Sequence, residues 1–134
     1  LAPPLDNAWS TGPFGRRKDP LNGEWAFHTG VDLAAEPGSV ILSTAPGRVT
    51  FVGYKGGYGK MIEIDHGLGV RTRYGHLKQI HVVRDQLVEF REKIGIIGNT
   101  GRSTGLHLHY EVLFDDESLD PANFLRAGKY VFKQ

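Results

Sequence analysis

Five side chains that can bind a metal or move a proton occur in three short, separated segments of this sequence. They are His28 and Asp32, then His76, then His107 and His109. Residues i and i+2 of an extended strand project to the same side, about 6.6 Å apart, so His107 and His109 can serve one centre. His28 and Asp32 are four residues apart and also share a face, whether their segment is extended or helical. The three segments therefore predict one composite site.

The donor types in these segments favour zinc chemistry. The chain has no cysteine, so its metal ligands must be histidines and carboxylates. A catalytic zinc takes three protein ligands and keeps one position open, and two histidines with one aspartate leave it the charge to acidify water. The two histidines left over suit proton transfer near neutral pH. Spacing alone leaves open which of His107 and His109 binds the metal.

Length and composition limit the class of protein. The chain has 134 residues, 40% of them hydrophobic, which predicts one globular domain with its own core. A net charge of +1, without a basic block, argues against a nucleic-acid partner. No apolar run approaches the roughly 20 residues of a membrane span. Because the chain starts at Leu1 rather than Met, we expect a fragment of a longer protein, with any export signal outside it.

The elements that must position these residues are predicted to be strands. Runs rich in β-branched and aromatic residues alternate with Gly or Asp turns, which is typical of an antiparallel sheet or sandwich with long loops. Strands are predicted over residues 39–43, 47–54, 60–65, 69–76, 95–97 and 106–114.

Both ends of the chain differ from this pattern. Residues 1–27 are rich in Pro and Gly, which predicts an irregular arm packed on the body by its aromatic side chains: Trp9, Phe14, Trp25 and Phe27. A short C-terminal helix is predicted, with Asp120 as its cap, Pro121 in its first turn and Gly128 at its end.

The motifs together resemble those of the M23 family of zinc metallopeptidases, the lysostaphin or LytM-type peptidoglycan endopeptidases. The resemblance covers nearly all of the chain, with Leu106 as a small departure, since many relatives have proline there. It is carried by three motifs: His28-x-Gly-x-Asp32, Tyr74-Gly-His76-Leu, and Ser103-Thr-Gly-Leu-His107-Leu-His109-Tyr-Glu111.

The resemblance implies a role for each of the five residues. His28, Asp32 and His109 are expected to bind Zn²⁺, and His76 and His107 are expected to be the catalytic histidines. The implied activity is hydrolysis of stem peptides or cross-bridges of peptidoglycan, either polyglycine or direct D-alanyl cross-links, by zinc-activated water. We expect a monomer in the cell envelope, periplasmic or extracellular, and a regulatory protein of the envelope is a candidate partner.

Two alternatives remain at the level of the sequence. A non-catalytic wall-binding or amidase-activating module could use the same groove without a metal. A swivelling carrier domain could use a modified lysine, Lys60, at a hairpin tip, but that hypothesis leaves the histidines without a role.

Other conspicuous residues are predicted to be structural. His66 lies in a predicted hairpin turn and His81 in a polar stretch, so neither is expected to bind metal. The Gly-rich segments 53–59 and 98–105 lack the Gly-Lys-Ser/Thr signature of a phosphate loop and are interpreted as turns beside a groove. By strand alternation, Arg71 and Arg73 are expected on a solvated face opposite His76.

Overall fold

The computed structural model describes residues 1–18, 21–103 and 105–124, and the fold in these residues is almost entirely β. A single 3₁₀ turn (Gly56–Tyr58) and the first turn of a helix at residues 121–124 accompany the strands. The strands are β1 (Trp9–Gly12), β2 (Gly15–Lys18), β3 (Trp25–His28), β4 (Val31–Ala34), β5 (Val40–Leu42), β6 (Gly47–Tyr54), β7 (Lys60–Gly67), β8 (Val70–Leu77), β9 (Gln79–Ile80), β10 (Leu87–Val88), β11 (Lys93–Ile96), β12 (Leu108–Phe114) and β13 (Glu117–Leu119).

One large antiparallel sheet forms the frame of the molecule. Its strand order is β1-β4-β12-β8-β7-β6-β10, and β13 pairs with β12 outside this order. Strand β12 is central: it pairs with β8 over the six residues from His109 to Phe114 and with β4 over Leu108 to Tyr110. Strands β2 and β3 form a separate hairpin.

The core lies on one face of the large sheet. Even-numbered residues of the central strands point to this face, and Ile62, Tyr74 and Tyr110 are fully buried there. A smaller sheet, in the order β5-β11-β9, contributes Ile41 and Ile94 to the same buried cluster. The two sheets therefore pack as a sandwich, as predicted. Most odd-numbered residues of β8 and β12 lie on the opposite face of the large sheet, outside this core.

The N-terminal segment is more regular than its Pro and Gly content predicts, because it contains β1, β2 and β3. Its contacts also differ from the prediction. Trp9, Trp25 and Phe27 are exposed and Phe14 alone of the four aromatics packs on the core, whereas Ala2 and Leu5 are the buried anchors. Ala2 and Leu5, rather than the three exposed aromatic residues, hold the N-terminal segment on the body. This segment lies beside β5, where the backbone N–H of Leu42 donates to the carbonyl of Pro4.

The predicted C-terminal helix begins as expected. The backbone N–H of Ala122 donates to Asp120 Oδ1 at 3.0 Å, which is an N-cap bond, and Pro121 occupies the first helical position. The predicted end at Gly128 lies outside the described residues. Within the described residues no helix is long and apolar enough to cross a membrane.

Candidate metal centre

Three of the predicted ligands place one donor atom each around a common point. The distance from His28 Nε2 to Asp32 Oδ1 is 3.3 Å, from His109 Nδ1 to Asp32 Oδ1 is 3.1 Å, and from His28 Nε2 to His109 Nδ1 is 3.2 Å. The atoms form a nearly equilateral triangle at the bottom of a groove. It is the one such group of His, Cys, Asp or Glu in the described part of the chain.

The size of this triangle fits a zinc ion. Zinc binds nitrogen and oxygen at about 2.0–2.1 Å, and tetrahedral angles then put neighbouring ligand atoms about 3.3 Å apart. All three edges lie within a few tenths of an ångström of that length. Three protein donors would hold a zinc ion and leave it a position for water or substrate, as in catalytic zinc sites.

The strand pairing brings these residues together from distant parts of the chain. Asp32 of β4 lies directly opposite His109 of β12, and His28 ends β3 just before β4 begins. Gly30 makes this close approach feasible. A Cβ there would collide with the carbonyl oxygen of Tyr110 and lie 2.9 Å from Glu111 Cγ.

Hydrogen bonds to groups outside the triangle orient the imidazoles of both candidate ligands. His28 Nδ1–H donates to the carbonyl of Pro13 at 2.8 Å, and His109 Nε2–H donates to Glu111 Oε2 at 2.8 Å. The nitrogen of each ring that belongs to the triangle is therefore the one that would bind a metal ion, once a proton on it is displaced. This is the arrangement by which proteins fix the tautomer of metal-binding histidines.

His76 and His107 lie beside the triangle. The ring centroids of these two residues are 4.7 Å apart, and the His76 centroid is 6.0 Å from that of His109. His76 Nδ1–H donates to the carbonyl of Thr100 at 2.6 Å and His107 Nδ1–H to that of Gly105 at 2.9 Å, so in the neutral form of each ring the unshared electron pair lies on Nε2. His107 Nε2 is 3.5 Å from Asp32 Oδ1.

Strand alternation would put His76 in the core, but its backbone prevents this. With φ at +65°, His76 has a left-handed conformation that few non-glycine residues adopt. The reversal turns its ring to the site face, and Leu77 then takes the buried position in the core. Such a conformation is costly and clusters at functional sites.

The same reversal makes the prediction for Arg73 wrong. Arg73 lies on the site face rather than on a solvated one, with Nε 2.7 Å from Glu63 Oε2 and Nη1 3.5 Å from Glu111 Oε1. Arg71 binds the same Glu63 at 3.1 Å but is more exposed. The prediction assumed that side chains alternate regularly through His76, which would put Arg73 and His76 on opposite faces. Because the backbone of His76 reverses this alternation, the two side chains share a face.

The protonation states follow from burial and from the carboxylates. Burial raises the pKa of Asp32, but hydrogen bonds from His109 and His28 outweigh this and hold it well below its usual range. Burial lowers the pKa of His109, but hydrogen bonds to Asp32 and Glu111 raise it to about 9. Burial lowers the pKa of His76 to about 4, so His76 is neutral at pH 7. A metal ion must displace the proton on His109, which makes binding dependent on pH.

A groove of about 520 Å³ opens over the triangle. The β2–β3 hairpin forms part of one wall, and both Gly-rich segments reach the groove, through Tyr58 and through Arg102 and Ser103. Their interpretation as turns beside a groove is therefore confirmed. At the base lies the buried Glu111, which the sequence prediction left without a role although it follows His109 by two residues on the same strand face.

His66 and His81 lie away from the site, as predicted. His66 is hydrogen-bonded through both ring nitrogens, to Pro46 and to Thr72, and His81 is exposed with Gln79 as its partner. The carrier interpretation of Lys60 gains no support, because its Nζ donates to the carbonyl of Lys78 at 3.0 Å.

Comparison with known proteins decides the family. The model of peptidase family M23 matches residues 26–121. This chain belongs to the M23 family. The predicted fold class and the predicted resemblance to M23 peptidases are thereby confirmed.

Relatives of this M23 domain include named peptidases. It is 42% identical over 120 residues to DD-carboxypeptidase/endopeptidase Mpg of Neisseria meningitidis, covering 90% of this chain and 28% of that protein. A solved zinc-containing peptidase from Vibrio cholerae is 38% identical with a TM-score of 0.81, over 87% of this chain and 37% of the other. The catalytic domain of lysostaphin from Staphylococcus simulans is 28% identical with a TM-score of 0.81, over 90% and 93%. The M23 domain thus spans less than a third of the length of Mpg.

Proposed function

We propose that this M23 domain is a zinc-dependent endopeptidase that hydrolyses peptide bonds in peptidoglycan, in the cell envelope. The observation that carries the proposal is the triangle of His28 Nε2, Asp32 Oδ1 and His109 Nδ1, with edges of 3.1–3.3 Å. The similarity to a zinc-containing peptidase from Vibrio cholerae supports zinc as the metal. When bound, zinc supplies Lewis-acid chemistry, making water a nucleophile near neutral pH and polarising the carbonyl that is attacked.

His76 and His107 are proposed as the catalytic residues. Each has its Nδ1–H engaged by a backbone carbonyl, which leaves Nε2 as the nitrogen that can exchange a proton. An imidazole held in this way can accept a proton from the attacking water and return it to the leaving amine. Once protonated, the same Nε2–H can donate to the negative oxygen that develops on the carbonyl. Two such groups on one side of the triangle suffice for the proton transfers of peptide hydrolysis.

The names of the relatives narrow the bond that we propose is cut. Mpg is named a DD-carboxypeptidase/endopeptidase and is 42% identical to this chain, whereas the lysostaphin domain is 28% identical. We therefore propose a bond between D-configured centres, as in direct cross-links, rather than a polyglycine bridge. A monomer and a regulatory envelope partner remain predictions.

The non-catalytic activator module is the less supported alternative. A binding module needs neither a triangle of metal ligands nor histidines with fixed tautomers beside it. Here all five residues are present and oriented. The intact set favours a catalyst.

Digestion of purified cell walls tests the proposal. The zinc-loaded domain is incubated with walls that have direct cross-links and with walls that have polyglycine bridges, and new amino and carboxyl termini are identified. We expect new termini at direct cross-links, their disappearance with a chelator and in Asp32→Ala, and full activity in His81→Ala. Intact walls of both kinds, with stoichiometric zinc on the protein, would contradict the endopeptidase proposal.

A further inference from the structure

A buried carboxylate lies directly behind the candidate metal ligand His109. Glu111 is 1% exposed and accepts three hydrogen bonds from well-placed donors. These come from His109 Nε2–H at 2.8 Å, from the Thr29 hydroxyl at 2.6 Å and from the Tyr58 hydroxyl at 3.0 Å. A carboxylate held from several sides has one orientation, so its bond to His109 has a fixed direction.

Glu111 is the first residue of a charged row across three strands. The register places Glu111 of β12 opposite Arg73 of β8, and Arg73 opposite Glu63 of β7. Arg73 Nη1 is 3.5 Å from Glu111 Oε1 and its Nε is 2.7 Å from Glu63 Oε2. Glu63 is itself 7% exposed and accepts a bond from the Thr50 hydroxyl at 2.8 Å. The row is thus satisfied at both ends.

The row touches none of the atoms of the triangle, yet it decides how His109 presents its ring. Because Glu111 holds the Nε2–H, the nitrogen that His109 turns toward Asp32 and His28 is Nδ1, the one that would bind the metal. Arg73 and the Tyr58 hydroxyl, in turn, hold Glu111 in place and balance its charge. Without them the buried carboxylate would seek other partners and the imidazole would lose its fixed orientation.

We infer that Glu111, Arg73, Glu63 and Tyr58 form a positioning network that sets metal affinity from outside the ligand set. The inference rests on the proposed metal site and goes beyond it, because it assigns a role to residues outside both the ligand set and the proposed catalytic pair. Arg73 is a positioning residue, acting on His109 through Glu111.

The chain offers a matched control for Arg73. Arg71 is the same residue type on the same face of the same strand, and it also binds Glu63, at 3.1 Å. It pairs with Leu113 across β12, whereas Arg73 pairs with Glu111. Arg71→Met and Arg73→Met therefore remove the same charge next to Glu63, and only Arg73→Met also removes the links to Glu111 and to the Tyr58 hydroxyl.

The test measures the zinc dissociation constant by competition with a chromophoric chelator in wild type, Arg73→Met, Arg71→Met and Tyr58→Phe. We expect zinc binding to weaken about tenfold in Arg73→Met and several-fold in Tyr58→Phe, and to change less than about twofold in Arg71→Met. Arg73→Lys keeps the positive charge but lacks the planar guanidinium with its several N–H donors. We therefore expect its zinc affinity to lie between those of wild type and Arg73→Met. Tyr58→Phe loses one hydroxyl only, so it tests the network even if Arg73→Met does not fold.

A spectroscopic readout separates positioning from general destabilisation. In the zinc-loaded protein the His109 Nε2–H should give a slowly exchanging NMR signal in wild type and Arg71→Met, and a shifted or broadened one in Arg73→Met. Equal zinc affinities for Arg73→Met, Tyr58→Phe and Arg71→Met, with unchanged ring signals, would overturn the inference. A wild-type protein that takes up no zinc would instead overturn the proposed metal site, and the inference with it.

Discussion

At the scale of single residues, the four histidines of the site follow one rule: each donates one ring N–H to an acceptor outside the site and turns its other nitrogen toward the site. The outward acceptors are the carbonyls of Pro13, Thr100 and Gly105 and the carboxylate of Glu111. The difference between the proposed ligands and the proposed catalytic residues then depends on position. His28 and His109 complete a triangle with Asp32, whereas His76 and His107 stand beside it.

This arrangement predicts that His76 is needed for turnover and not for metal. In His76→Ala we expect about one zinc per chain and a loss of wall hydrolysis on the order of 10² or more, the usual contribution of a positioned proton-transfer group. Zinc content and initial rates on purified walls check this, with His81→Ala as the neutral control. Wild-type rates in His76→Ala would mean that the proton moves through another group.

His66 predicts a pH dependence of stability that is separate from the site. Burial lowers the pKa of His66. Its neutral ring is hydrogen-bonded to the carbonyl of Pro46 and to the hydroxyl of Thr72. The Thr72 hydroxyl is in turn hydrogen-bonded to that of Tyr74, and the Tyr74 hydroxyl to that of Thr44. The unfolded chain binds a proton at His66 below its ordinary pKa of about 6.5, while the folded protein resists this until lower pH. The contribution of neutral His66 to stability is therefore present above pH 6.5 and lost as the pH falls below it.

Urea unfolding of the metal-free protein at pH 7.5 and 5.5 measures this effect. The drop in unfolding free energy between the two values should be smaller in His66→Gln than in wild type. His81→Gln, on an exposed histidine, should keep the wild-type drop. Identical pH dependence in wild type and His66→Gln would remove His66 from this account.

At the scale of elements, the pairing of β4 with β12 creates the site. Asp32 faces His109 across this pair, and Gly30 permits the chain before β4 to lie against Tyr110 and Glu111. A side chain at position 30 would push His28 and Asp32 away from His109, because backbone atoms of β12 cannot move aside.

We therefore expect Gly30→Ala to lower the unfolding free energy by about 1–3 kcal/mol, as overpacking does, and to weaken zinc binding. Gly105→Ala is the control, because a Cβ there meets no atom within 4 Å. Urea titration and chelator competition on both variants check the prediction. If Gly30→Ala is as stable as Gly105→Ala and binds zinc equally well, the close approach of residue 30 to β12 is not required for stability or for the metal site.

Four of the eight strands of the large sheet could be predicted from local sequence, and the breaks in the alternating pattern could not. The predicted strand 47–54 has the same bounds as β6, and 60–65, 69–76 and 106–114 match β7, β8 and β12 within two residues at each end. Strands β1 to β4 were missed because Pro and Gly dominate their turns, and β4 is buried along most of its length rather than alternating. Parity failed at His76, where a left-handed residue within a strand leaves no sequence signal.

At the scale of the molecule, the two faces of the large sheet have different roles: one packs the hydrophobic core and the other bears the candidate site. One face packs Ile62, Tyr74 and Tyr110 against the smaller sheet, and the opposite face carries His109, Glu111 and Arg73 under the groove. The site face is polar and holds several buried charges, which a metal ion would help to balance. The ligand types could be predicted from the sequence, but their convergence depends on strand order, which the sequence does not show.

This division predicts that zinc stabilises the whole domain through its ligands alone. A ligand that binds only the folded state at about 100 times its dissociation constant adds about 2.7 kcal/mol. Zinc should raise the thermal midpoint of the chelator-treated wild-type protein and leave that of Asp32→Ala unchanged. Equal shifts in the two proteins would point to binding elsewhere on the surface.

The most direct test of the central claim is the zinc content of five single variants, measured by mass spectrometry on untagged, folded protein. We predict about one zinc per chain in wild type, His76→Ala and His107→Ala, and little or none in His28→Ala, Asp32→Ala and His109→Ala. The comparison within β12 and its entry is decisive, because His107 and His109 are chemically alike and two residues apart. Zinc retained in His109→Ala and lost in His107→Ala would contradict the assignment of ligands and catalysts.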